Sequence, residues 1–315
     1  MTLELVFDIG LAALVLTVAT WTLLARETTA AVIGFVAYGL LLTLVWVRLA
    51  AVDVALTEAA IGSGMTGVLL LTAAARLRAT EAVANAEQPG ATLRVVAALL
   101  CVSVFAGLAG IVLLLPEPGP TLAPQAAANL GSTGLGNAVT AVLLSFRAID
   151  TLLETVVLLL ALLGVWSLAP DRAWGGRPGP QRNVQRDGVL VFLAQLLPPV
   201  GIVVAIHLFW VGADAPGGKF QAATILAAMW ILAQQAGLTD APPVDRRWLR
   251  LVLVAGPAAF LAVGFLGFAA AGAFLAYPAG YAKPLILFIE AALMPSIAAT
   301  LALLVAGPPA RTEPP

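Results

Sequence analysis

The chain has 315 residues, of which 61% are hydrophobic and only 10% charged, and its mean hydropathy is +1.00. Soluble domains carry about 25% charged residues, so this composition specifies an all-α polytopic membrane protein. One cysteine (Cys101) and one histidine (His207) exclude a disulfide framework, a multi-cysteine zinc site, a cysteine-ligated iron–sulfur cluster and bis-histidine haem.

Crossing about 30 Å of hydrocarbon takes roughly 20 apolar residues. Nine runs qualify, at about 3–25, 29–49, 53–76, 93–115, 140–168, 188–212, 218–237, 250–273 and 284–306. The first opens with acids and no Lys or Arg, which reads as a retained span rather than a signal peptide. With the amino terminus outside and the carboxyl terminus inside, 12 of the 16 Lys and Arg fall in inner loops and the tail. These are Arg26, Arg76, Arg78, Arg94, Arg172, Arg177, Arg182, Arg186, Arg246, Arg247, Arg250 and Arg311. That bias is the expected one.

The third run opens DVALTE. Asp53 suits an N-cap or an ion path, and Glu58 lies about 8 Å into the span at 1.5 Å per residue. Glu58 is either functional or a buried structural hydrogen-bonding group. Gly62-Ser-Gly-Met-Thr-Gly67 matches GxGxxG formally but lacks the strand that a dinucleotide site needs, so small-residue helix packing is the better reading. Stretches 80–92 and 169–187 read as solvent linkers, and 116–136 as a flexible outer loop.

The fifth run is too long for a straight crossing, and its polar start at 131–146 is expected to lie in the interface or break away. Arg147, Asp150 and Glu154 then share one helix face. Charges at membrane depth cost a few kcal/mol each even on lenient scales. They therefore form either a self-neutralising lock between helices or a protonatable pair on an ion path, with Asp150 and Glu154 as oxygen ligands for Na+.

The tandem Pro198-Pro199 should kink the sixth span, where His207 suits either a proton relay or an interfacial role. Pro216, Gly217 and Gly218 make a tight outer turn before Phe220 and Gln221, with the Gln221 amide expected back on the turn's own backbone. Glu290 sits mid-span beside Pro295, as an ion-site candidate or a hydrogen bond to a partner helix. No basic amphipathic stretch suits nucleic acid.

Three segments carry a family resemblance. DVALTEAAIGSGMTGVLLLTA (53–73) resembles the MbhD-like segment of Mrp-type cation/proton antiporters and membrane-bound hydrogenases. GNAVTAVLLSFRAIDTLLETVVLLLALLGVWSL (136–168) resembles the MbhE-like segment that follows it, with Arg147, Asp150 and Glu154 matching. GADAPGGKFQAATILAA (212–228) is similar to the MnhB turn, usually written GHxxPGGGFQ, with Ala213 in place of histidine and Lys219 in place of glycine. Glu290 falls where that domain has a glutamate in its last helix.

The resemblance implies three pieces: 1–85 MbhD-like, 90–170 MbhE-like and 186–308 MnhB-like. It further implies a non-enzymatic antiporter subunit without cofactor in a bacterial cytoplasmic membrane, handling Na+ and H+. Its partners would be large MrpA/MrpD-type chains and small MrpC-, MrpE-, MrpF- and MrpG-type chains. Lacking a lysine within a span, the chain would line a cation route beside proton channels in those large subunits. A coupling subunit of a hydrogenase-like or sulfur-reducing respiratory complex, or a purely structural subunit, are the alternatives.

Overall fold

In hydrocarbon the backbone has no water to bond, so apolar runs close their hydrogen bonds internally as helices. The computed structural model describes residues 3–86, 90–116, 119–180 and 188–311; Arg182 and Arg186 lie outside these. Eight helices among the described residues are long and apolar enough to cross a membrane.

Helices α1 (Leu3–Leu24) and α2 (Thr28–Arg48) form a hairpin, closed at one end by Arg48 donating to Asp8 at 2.8 and 3.0 Å. Bare Gly34 admits the Trp21 ring, so the two axes come close. Helix α3 (Val52–Thr57) passes into a π-helical segment, Glu58–Met65, and on into α4 (Thr66–Ala86) without a break. The start of the linker expected at 80–92 is thus helix through Ala86, and residues 87–89 lie outside the described part. Of the three glycines in the GxGxxG match, Gly67 fulfils the packing reading by lying against Val36 of α2. Helix α5 (Ala91–Leu114) buries none of its residues against the rest of the chain.

The expected outer loop at 116–136 is largely a helix, α6 (Ala123–Thr133). Its Pro124 sits in the first turn, alanines follow, and left-handed Gly134 ends it, so the local chemistry favours a helix despite the loop-like composition. Next come α7 (Ala138–Ala141), capped by the Asn137 side chain, and a π-helical turn, Val142–Phe146. The helix breaks at Arg147 (φ −130°, ψ 38°) before α8 (Ala148–Trp166). The fifth run is therefore two pieces, as its length required. Carbonyls released at the break are taken up by Thr151 Oγ1, donating to Leu143 O at 2.6 Å, and by Tyr277 OH, donating to Leu144 O at 2.6 Å.

The last four helices are α9 (Val189–Val211), α10 (Lys219–Gln235), α11 (Arg247–Ala271) and α12 (Ala282–Ala306). Helix α12 is the hub, packing on α8, α10 and α11. Its Ile286, Ile289 and Leu293 are buried with Phe260 and Leu144 in one core. Gly256 lets α11 approach Leu293 and Ser296 of α12 closely. A short antiparallel pair, β1 (Arg177–Pro178) with β2 (Pro309–Arg311), joins the loop after α8 to the end of α12.

The seventh expected span is α10. At 17 residues it is about 26 Å long, short of the ~30 Å hydrocarbon thickness. Gly217, Gly218 and Lys219 at its start are buried, so the helix begins inside the bundle rather than at its surface.

Candidate functional site

The turn at 212–218 is built on glycine. Gly217 and Gly218 take φ of 154° and 128°, where L side chains are strained, and a Cβ on Gly217 would meet Leu208 O at 2.6 Å. This folds the chain back so that Gly218 N–H donates to Leu208 O at 2.9 Å. The turn is then tied to two distant segments. Asp53 Oδ1 accepts from Gly217 N–H at 3.0 Å, and both Asp53 oxygens accept from Asn137 Nδ2 at 3.3 and 3.4 Å. Asn137 Nδ2 also donates to Ala215 O at 3.0 Å, and Thr140 Oγ1 donates to Gly212 O at 2.6 Å.

Asp53 is thus not an N-cap. Ala51 holds that place and makes no side-chain cap, while Asp53, one residue inside α3, gathers three segments. Gln221 likewise does not return to its own turn. Its Nε2 donates to Thr57 Oγ1 at 3.0 Å and to Asp53 O at 3.4 Å. At position 213 buried Ala213 supplies its carbonyl to the N–H groups of Gly136 and Asn137, so the turn is firmly held with no histidine. On the exposed side Lys283 Nζ donates to both Asp214 oxygens at 2.7 Å. That hydrogen bond holds the Asp214 carboxyl below the usual carboxylate range.

Beneath this knot lies a cavity of about 260 Å³, lined by Asp53, Thr57, Thr140, Gln221, Lys219 and Glu290 among others. Lys219 and Glu290 are each only 2% exposed, with Lys219 Nζ 3.8 Å from Glu290 Oε1. Glu290 Oε2 has no hydrogen-bond partner among the described residues. The Glu290 carboxylate lies beside Gly218, the residue before α10, where the helix's positive end favours it. Lys219 Nζ also lies 4.6 Å from the centre of the Phe220 ring. The pair is too far apart for a direct hydrogen bond, and the space beside it is large enough for several waters.

The absence of a lysine within a span does not hold. Lys219 is buried in the first turn of α10, and its only sequence signal was a charge placed directly ahead of an apolar run. Asn137, Thr140 and Thr57 were also missed, since nothing local marks a residue whose partners lie 70 to 170 positions away.

The other candidates are spread around this centre. Arg147 Nη2 lies 2.6 Å from Asp150 Oδ2 on an exposed face, so those two neutralise each other. Glu154, one turn on, is exposed on this chain and does not line the cavity. Glu58 opens the first π-helical segment, half-buried, its carboxylate folded over bare Gly39 and Gly62. His207 lies on the exposed face of α9 and does not line the cavity. Among the described residues no three His, Cys, Asp or Glu side chains converge as a metal cluster.

Comparison with known proteins fits this architecture. The MbhD family, a component of the MBH complex, matches residues 13–79, and a domain related to the MnhB subunit of the Na+/H+ antiporter matches residues 189–308. The chain fuses an MbhD-like region to an MnhB-like region. A chain in the structure of the Mrp complex from Dietzia sp. DQ12-45-1b is 25% identical with a TM-score of 0.69. The match covers 97% of the present chain but only 35% of that longer one. A chain of the membrane-bound sulfane sulfur reductase, an archaeal respiratory membrane complex, is 22% identical with a TM-score of 0.56. That match covers 68% of this chain and 97% of the other, and shows the shared fold. Curated proteins give no match. The cavity lies where the MbhD-like region, through Asp53 and Thr57, meets the MnhB-like region, through Gly217 to Gln221 and Glu290.

Proposed function

We propose that this protein is an integral subunit of an Mrp-type monovalent cation/proton antiporter in a bacterial cytoplasmic membrane, and that it lines part of the ion path. The amino terminus faces outside and the carboxyl terminus inside, and residues 90–170 form the MbhE-like piece of the fusion. The observation that carries the reading is the buried Lys219–Glu290 pair at a largely apolar cavity, where these two side chains are the charged groups beside Asp53. Buried ionisable groups in a membrane are expensive and are kept where charge has to pass. In this reading a proton or cation moves through the cavity to Glu290. Lys219 holds Glu290's charge between passages, and Glu154, exposed on this chain, exchanges the ion with a partner subunit. Asp150 is occupied by Arg147, so Glu154 supplies the freer carboxylate oxygens for Na+. Large MrpA/MrpD-type and small MrpC-, MrpE-, MrpF- and MrpG-type chains are the partners.

The test is Glu290→Gln in the assembled complex, read as Na+-dependent collapse of ΔpH in everted vesicles. Loss of exchange with intact assembly supports the reading, and unchanged exchange refutes it.

The likeness to the sulfane sulfur reductase chain favours a second reading, a coupling subunit in a redox-driven complex. Co-purification with an iron–sulfur or nickel–iron subunit would select it, and a purely membranous partner set would select the antiporter.

A further inference from the structure

We propose that the furrow between α4 and α10 is a binding site for an anionic phospholipid, with an acyl chain along its apolar length and the phosphate at Arg76. The proposal stands independently of the transport reading. An apolar cavity of about 530 Å³ is lined by Ala60, Gly64 and Val68 on one side and by Ala228, Ile231 and Gln235 on the other. A second, polar cavity continues it, sharing Ile231 and Gln235 and adding Thr72, Arg76, Gln234 and Thr239.

On the α4 side Ala60 and Gly64 come from the π-helical segment and Val68, Thr72 and Arg76 from α4, and together they line the two cavities in order along one continuous wall. From Val68 to Arg76 the α4 part of that wall advances about 12 Å, and the π-helical segment with Ala60 and Gly64 extends it toward the ~15 Å half-thickness of the hydrocarbon core. One leaflet's acyl chain fits the length. Small residues at 60, 64 and 228 keep the walls low.

Charge complementarity decides the headgroup. At the polar end Arg311 Nη2 is 3.0 Å from Asp240 Oδ1, so those two cancel. Arg76 has no ion-pair partner among the described residues, and its guanidinium lies beside Gly307 at the end of α12. Gln234 Nε2 is buried there as a donor with no acceptor among the described residues. An unpaired cation and an orphan donor at the end of an apolar furrow match a phosphate on an acyl chain, and basic pockets between spans bind such headgroups. Zwitterionic lipid would fill the furrow but leave Arg76 less satisfied.

Native mass spectrometry of the full-length protein in detergent tests this, with phosphatidylglycerol, phosphatidylcholine and inorganic phosphate as separate additions. Wild type should retain phosphatidylglycerol in preference to phosphatidylcholine, and should bind no inorganic phosphate. Arg76→Gln should shrink that preference by about fivefold, the factor matching ~1 kcal/mol for one basic residue at an anionic surface. Val68→Trp, at a half-exposed position that tolerates bulk, should block both lipids. Equal lipid preference in wild type and Arg76→Gln would overturn the headgroup assignment, leaving Arg76 as a counter-charge for the α12 terminus. Undiminished lipid retention by Val68→Trp would overturn the furrow, and phosphate binding alone would make this a free-anion site.

Discussion

Replacing Lys219 by methionine keeps most of its length and removes its charge. At 3.8 Å, and with both partners 2% exposed, the pair's attraction is about 4 kcal/mol at an effective dielectric near 20. Desolvation of two ions offsets much of this in the intact protein, so the pair's net value is small. Removing one partner is a different matter. Glu290 would be left charged, buried and facing an apolar side chain, at a cost of ~3–5 kcal/mol. Glu290→Gln alone strands the ammonium in the same way. The double variant Lys219→Met/Glu290→Gln leaves no buried charge and should recover most of the loss. The assay is a double-mutant cycle on thermal unfolding of the purified protein in nanodiscs, with all four species measured at one pH. Strongly non-additive losses, with a coupling of at least ~2 kcal/mol, are expected. Additive losses, or a Lys219→Met cost below about 1 kcal/mol, would show that the two charges do not share one buried site.

Three further outcomes follow from the same geometry. Asp53→Ala removes the acceptor that joins Gly217 N–H and Asn137 Nδ2, and should cost about 2–3 kcal/mol in the same unfolding assay; a change under ~0.5 kcal/mol would mean the knot is not structural. Asp214 is held below its ordinary value by Lys283, so its contribution is present above the unfolded carboxylate pKa. It is lost as pH falls through the lower folded value, and Lys283→Met should remove that acid-side loss, read by hydrogen exchange at residues 212–218. His207→Ala should leave antiport in everted vesicles unchanged, since His207 lies on an exposed face away from the cavity; a large fall in exchange would restore the proton-relay reading.

Much of the architecture was legible in the residues. Apolar runs fix helices because the bilayer leaves the backbone no other solution, and the overlong 140–168 run had to break somewhere. The break falls at Arg147, whose backbone leaves the helix while its side chain pairs with Asp150. What stayed hidden was long-range. Lys219 and Glu290 are 71 positions apart, and no local pattern says that a short α10 starts inside the bundle with its first side chain turned toward α12. Asp53 looked like a cap because its neighbours in sequence permit one, whereas its partners come from Asn137 and Gly217. The expected carboxylate pair, Asp150 and Glu154, does not come together as one site: Asp150 is taken by Arg147, and the buried charge pair lies instead at Lys219 and Glu290.

The most direct test of the central claim is whether water and ions reach the cavity from outside the bilayer in the assembled complex. Leu143→Cys, placed on the cavity wall in a Cys101→Ser background, can be probed with a membrane-impermeant cationic thiol reagent during antiport. The account predicts labelling from one aqueous side, with exchange falling as the label accumulates. A Leu143→Cys complex that exchanges Na+ for H+ at the normal rate and takes up no label would contradict it.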